Sequence, residues 1–201
     1  MTYPVIIGIA GKAQSGKDTV AKYLQTRAAE SACLSYHIAP FASKVKLVAS
    51  QLYGFPIDWA YSASGKQRIV MGATVRHWLQ KVGETVRDSV DKDVWVNGVL
   101  NPAQQRYIEM GSGTIIPDVR YRNELRWIKS SFSVDIAVPS AVIKTVRVDN
   151  SEIPSEEAQH SSEIDLDEIP DSEYDAVFVA ESGDVIGLLE QVNSWWKGLG
   201  K

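Results

Sequence analysis

The chain has 201 residues, of which 44% are apolar and 23% charged. This suits one folded domain with a sizeable core and excludes a disordered or low-complexity chain. Its single cysteine, Cys33, excludes an internal disulfide framework and a Cys-based zinc site. No apolar run approaches a membrane span, and the N-terminus lacks the basic-then-apolar pattern of an export signal, so a soluble protein of the reducing cytoplasm is expected.

Residues 4–10 are an apolar run of strand length, followed by Gly11-Lys12-Ala13-Gln14-Ser15-Gly16-Lys17-Asp18-Thr19. Residues 17–30 then carry Val20, Leu24 and Ala28 at helical spacing. Strand, Gly-rich loop and helix in that order match a phosphate-binding P-loop. Gly11 and Gly16 permit turns that residues with a Cβ resist. Successive N–H groups of the loop can then line a concavity for phosphate oxygens at the positive end of the next helix. Lys17 adds a mobile charge for the β- and γ-phosphates of a nucleoside triphosphate. One position departs from the common pattern: Asp18 stands where Ser or Thr usually ligands Mg²⁺, and Thr19 comes next. Two roles stay open for Asp18, a Mg²⁺ contact through water or a favourable charge in the first helical turn.

Residues 33–39 read as a second strand and residues 41–53 as a helix with Val45, Leu47, Val48 and Leu52 on its apolar side. Residues 54–57 break it, and residues 58–70 read as a loop with a short helix. Residues 74–90 form a strong helix with two stripes. Val75, Leu79, Val82, Val86 and Val90 make an apolar one; Arg76, Gln80, Gly83 and Arg87 make a polar one that can serve phosphate and base. Arg76 and Arg87 are about 16 Å apart along such a helix, so both cannot grip one phosphate. Gly83 would leave room for a ring. Residues 93–100 read as a further helix, stopped by Asn101-Pro102.

Residues 113–119 read as a buried strand whose end carries Asp118, Arg120 and Arg122. Asp118 can orient a metal through water and Arg120 can clamp a phosphate. The competing structural reading makes Asp118 a helix cap and pairs Arg120 with Glu124. A short helix over 122–131, a strand over 142–148, a last strand over 176–180 and a closing helix over 184–197 complete the pattern. Trp195-Trp196 is expected to close the core. From Asp149 to Asp175 there are 11 acids and no Lys or Arg, and the remaining 174 residues hold all 21 basic residues against 14 acids. The basic body suits anionic substrates. The acidic stretch, with His160, reads as a solvated excursion.

Alternating strands and helices imply a parallel sheet covered on both faces, with ligands beyond the strands' carboxyl ends. The fold class is therefore α/β, a three-layer α/β/α arrangement. One domain is expected: a core of residues 1–40 and 111–201, a helical insertion of about 41–110 and a lid-like segment of about 149–172.

Together, residues 11–21, 40–46, Val75-Arg76, Leu79-Gln80, Gly83-Glu84-Thr85, Arg87, Asp93-Val94-Trp95-Val96, 116–124 and His160 with Ser162-Glu163 resemble bacteriophage deoxynucleoside monophosphate kinases. These belong to the P-loop nucleoside monophosphate (NMP) kinase superfamily, and the resemblance covers most of the chain. Adenylate-kinase-like enzymes share the Lys-x-Thr ending of the loop. The resemblance implies five parallel strands, ATP with Mg²⁺ as donor, a dNMP as acceptor, and host cytoplasm if the chain is phage-encoded. It implies donor contacts from Gly11, Lys12, Ser15, Gly16, Lys17, Asp18 and Thr19. Acceptor contacts would come from Phe41, Lys46, Arg76, Gln80, Arg87, Trp95, Arg120 and Arg122. Lys17, Arg120 and Asp118 would be catalytic, with Asp18 and Asp118 near the metal through water. NMP kinases commonly use lid arginines, and this acidic segment has none. Partners are small nucleotides, with no nucleic acid and no membrane, and a homodimer is allowed. Two alternatives stay open: another small-molecule kinase, such as a dephospho-coenzyme-A or phosphomevalonate kinase, and a P-loop NTPase acting as an interaction module.

Overall fold

A computed structural model of the chain describes residues 3–12, 14–30, 35–130, 140–148 and 168–199. In chain order the elements are β1 (Ile6–Ala10), α1 (Lys17–Glu30), β2 (Tyr36–Ile38), α2 (Ala42–Tyr53), a 3₁₀ turn (Ile57–Ala60) and α3 (Ala63–Lys66). There follow β3 (Ile69–Val70), β4 (Ala73–Thr74), α4 (Val75–Ser89), α5 (Val94–Met110), β5 (Gly113–Val119), α6 (Arg122–Ser130) and β6 (Ser140–Val148). A 3₁₀ turn (Asp171–Glu173), β7 (Ala176–Glu181) and α7 (Val185–Leu199) end the chain. Among the described residues, no helix is long and apolar enough to cross a membrane.

The chain divides into two compact units, Met1–Ala39 with Pro102–Lys201, and Pro40–Asn101. The first holds a five-stranded sheet in the order β2-β5-β1-β6-β7, with every neighbouring pair parallel. This is the expected α/β architecture with five parallel strands. Apolar alternation along the strands supplies both faces. Ile7, Ile9, Ile115, Ile143 and Phe178 meet Val20, Leu24 and Ala28 of α1 and Leu188, Val192 and Trp196 of α7. On the opposite face, buried Leu125 and Ile128 of α6 cover β1 and β6. Trp196 is 2% exposed and its ring stacks on Tyr3 at 4.6 Å, so the closing helix does seal the core. At the β7 edge, the Gln191 amide accepts from Val179 N–H at 3.1 Å and donates to Val179 C=O at 2.7 Å. A side chain thereby occupies backbone groups that another strand could use.

The second unit is helical, with a two-stranded antiparallel hairpin, β3–β4. Met71 and Gly72 both take positive φ, 48° and 82°, as a two-residue hairpin turn demands. Thr74 caps α4 by accepting from His77 N–H at 3.1 Å. Its core is Ala49, Phe55, Ala60, Val75 and Val82, with Val45, Val48, Leu79, Val86 and Trp95 packed against it.

Three sequence expectations need correction. Val90 is not part of the α4 core stripe: the helix ends at Ser89 and Val90 is 75% exposed. In α2, Leu47 and Leu52 are exposed, and the inward side is Val45, Val48 and Ala49. Finally, Asn101-Pro102 does not stop α5, which runs through to Met110. A proline removes one hydrogen bond and strains one turn, but Ala103, Gln104, Gln105 and Arg106 are good helix formers and continue the helix beyond it.

Candidate functional site

The carboxyl ends of β1, β5 and β6 lie side by side in the first unit. Ala10 of β1 is in register with Val119 on one side and Lys144 on the other. The Gly-rich loop leaves β1 there and enters α1. Gly11 has φ 150° and Gly16 φ 88°, and Gln14, between them, also lies in the left-handed region at φ 61°. Such alternation turns successive N–H groups toward one concavity, a binding surface for anions. Ser15 N–H donates to Lys12 C=O at 3.2 Å, which closes the loop's turn. Val20 N–H to Gly16 C=O at 2.9 Å is the first rung of α1, so the amides of Lys17, Asp18 and Thr19 precede the helical ladder. The Lys17 ammonium reaches back over the loop and donates to Lys12 C=O at 2.5 Å. Asp18 and Thr19 are exposed in the first turn of α1, and Ala13 lies outside the described residues.

Ser15 of the loop is tied by its hydroxyl to the neighbouring strand β6. It is 5% exposed, and its Oγ lies 2.9 Å from Thr145 Oγ1 of β6. Thr145 is 1% exposed and donates to Ala10 C=O at 3.3 Å. Sequence reading missed Thr145. The available signal was parity: Thr145 is two residues from Ile143, so it shares that residue's inward face. A buried hydroxyl there needs a partner.

β5 delivers Asp118 by a bulge. Gly8 pairs with Ile116 but Ala10 pairs with Val119, so β5 carries one extra residue over this stretch. Pro117 has no N–H for the ladder, which is the physical reason the register breaks there. Asp118 is half-buried at the strand end, and Arg120 follows, also half-buried. Glu124, from inside α6, accepts from Arg120 N–H at 2.6 Å and Tyr121 N–H at 3.0 Å. This is the backward half of a capping box, so α6 receives its N-terminal carboxylate from Glu124.

Arg122 is engaged within its own unit. Its Nη2 donates to Glu168 C=O at 2.8 Å, and Nη1 lies 3.7 Å from the Glu173 carboxylate. Lys144 pairs with Asp171 at 2.8 Å and lies 5.2 Å from the Tyr174 ring. Two cations of the body thus hold the carboxyl end of the acidic stretch. Residues 149–167, including His160, lie outside the described residues, as does Cys33.

In the second unit, Arg76 and Gln80 are exposed along α4 and Arg87 is half-buried. The space beside Gly83 is occupied: a Cβ there would lie 3.5 Å from Val45 Cγ1 of α2. The Trp95 indole donates to Gly83 C=O at 3.0 Å. Phe41 is 3% exposed at the head of α2, so its ring belongs to the packing. The Lys46 ammonium lies 4.0 Å from the centre of the Tyr61 ring, a cation–π contact.

Asp18, Thr19 and Asp118 are hard oxygen donors, the type Mg²⁺ prefers. Among the described residues, no three His, Cys, Asp or Glu side chains come together as a metal cage. The donor set fits a Mg²⁺ held mostly by nucleotide phosphates and water, with one or two protein oxygens beside it.

No protein-family model and no curated protein matches the chain. Among solved structures, a shikimate kinase from Bacteroides thetaiotaomicron is similar over 99% of this chain and 100% of that one, at 9% identity and a TM-score of 0.40.

Proposed function

We propose that this chain transfers the γ-phosphoryl group of ATP to a small acceptor, and that the acceptor is a deoxynucleoside monophosphate. The observation that supports it most is the loop of residues 11–19. It combines left-handed backbone at Gly11, Gln14 and Gly16 with a lysine and a helix N-terminus at the carboxyl end of a central strand. That arrangement suits a polyphosphate better than any other common ligand.

In this reading the loop amides and Lys17 hold the donor phosphates, and Thr19 hydrogen-bonds one of them. Mg²⁺, when bound with the nucleotide, offsets the charge of the β- and γ-phosphates. Asp118 orders water beside it. Arg120 neutralises the transferring group, and Arg76 holds the acceptor phosphate while Gln80 reads the base. Arg122 already serves Glu168 and Glu173, so any substrate contact it makes competes with those partners. No covalent intermediate is needed: positioning and charge neutralisation carry the reaction.

The test is a panel of dNMPs, dephospho-coenzyme A, phosphomevalonate and shikimate, scored by acceptor-dependent ADP release. Release with one or more dNMPs supports the proposal. Release only with another acceptor keeps the donor half and replaces the acceptor. Slow ATP hydrolysis indifferent to every acceptor favours the interaction-module alternative.

Arg76→Ala and Arg120→Ala are each expected to lower kcat/KM for the dNMP about ten- to a hundredfold, since a charge-assisted phosphate contact is worth about 1.5–3 kcal/mol. The KM for ATP should change much less. Unaltered dNMP kinetics in both variants would mean that the acceptor site lies elsewhere.

A further inference from the structure

We infer that Thr145 is a positioning residue that sets the shape of the nucleotide loop through a relay of two hydroxyl protons. The inference rests on the P-loop reading above and deepens it.

Proton counting gives the relay its direction. Thr145 Oγ1 carries one proton, and a carbonyl can only accept, so the bond to Ala10 C=O uses that proton. On distance alone either hydroxyl could donate the 2.9 Å contact between Ser15 Oγ and Thr145 Oγ1; with Thr145's proton on Ala10 C=O, the donor is Ser15. The order is Ser15 O–H to Thr145 O–H to Ala10 C=O. Two consequences follow. Ser15 then has no hydroxyl proton left for a phosphate oxygen, and its N–H already donates to Lys12 C=O at 3.2 Å, so a nucleotide contact from that N–H shares it with the loop's turn. And the middle of the loop is tied, through one buried side chain, to the ends of two neighbouring strands, β1 and β6.

Gly11 makes the relay compact. A Cβ at Gly11 would lie 2.5 Å from Ser15 Oγ and from Thr145 C=O, and 2.6 Å from Thr145 Oγ1. The loop therefore closes directly over the hydroxyl pair, and any change in the pair's spacing moves the loop backbone. Valine has the shape of threonine without its proton or lone pairs. Thr145→Val would leave a buried donor on Ser15 and a buried acceptor on Ala10 without this partner. The loop is the part that can move to satisfy them.

The experiment is calorimetric titration of Mg-ADP into the full chain, with circular dichroism and thermal melts as folding controls. Thr145→Val should weaken Mg-ADP binding about tenfold or more. Thr145→Ser, which keeps the relay, should stay within about threefold of the parent. Ser15→Ala removes the same bond from the loop side and should weaken binding comparably. The double variant should bind about as well as the weaker single one, because both remove one unit. The KM for the acceptor should not move, which separates loop positioning from general loss of structure. Should Thr145→Val fail to fold, Ser15→Ala and Thr145→Ser carry the test. Parent-like Mg-ADP affinity in folded Thr145→Val or Ser15→Ala, or strictly additive losses in the double variant, would overturn the relay and leave the P-loop reading standing. A parent chain that binds neither Mg-ATP nor Mg-ADP would overturn both.

Discussion

Lys17→Ala should reduce turnover by about two to three orders of magnitude while the protein still folds. The catalytic side of this expectation is electrostatic. Removing one preorganised donor from a site of developing charge typically costs about 10²–10³-fold in kcat. The folding side comes from the geometry. Lys17 is half-buried at the start of α1, and its ammonium donates to a loop carbonyl, Lys12, at 2.5 Å. Each hydrogen bond of this kind contributes about 1 kcal/mol to stability, and Lys17 is not among the apolar residues that form the core of its unit. Coupled measurement of ADP release and the thermal midpoint checks both halves. If the variant unfolds while activity per folded molecule persists, Lys17 is a structural residue.

Gly11→Ala should damage fold and nucleotide binding together. A methyl group at this position meets Ser15 Oγ, Thr145 C=O and Thr145 Oγ1 at 2.5–2.6 Å, closer than any real side chain tolerates. One of these atoms is backbone of β6, a central strand, and cannot swing aside. The φ of 150° adds backbone strain of about 1–3 kcal/mol for any residue with a Cβ. Total destabilisation of about 2–4 kcal/mol is expected, from strain plus overpacking. Mg-ADP affinity should fall about a hundredfold, because the loop can relieve the clash only by leaving its cradle. Urea midpoints and calorimetric titration measure the two effects. A variant with parent-like midpoint and affinity would show that the loop backbone does not hold this conformation in solution.

Arg122 shows how an apparent substrate residue changes meaning with its neighbours. In sequence it follows Asp118 and Arg120 at the tip of a strand, which is where acceptor ligands gather. In the structure it holds Glu168 C=O and the Glu173 carboxylate, while Lys144 holds Asp171. The surplus of positive charge in the body therefore serves the acidic stretch as well as any anionic substrate. No spacing rule shows that, because the partners are about fifty and thirty residues away.

Local chemistry made much of the fold legible. Alternation and apolar runs marked all five sheet strands. Helical spacing located α1, α4 and α7 to within one or two residues, since period and capping are properties of a short window. The Gly11–Thr19 loop could be read for the same reason: its backbone demands and its lysine are contiguous. What sequence reading missed has two sources: local signals that outweighed a familiar helix breaker or went unread, and partners far along the chain. Continuation of α5 past Pro102 depends on the residues after it. The β5 bulge at Pro117 is defined only against the register of β1. Glu124 at the head of α6 is a local contact, three and four residues long, whereas Val45 beside Gly83 follows from how α2 packs on α4. The sequence alone determined which residues form the loop and the sheet beneath it. Only the tertiary structure decided that Thr145, 130 residues beyond Ser15, bonds that loop, because parallel strands can align residues that no local signal connects.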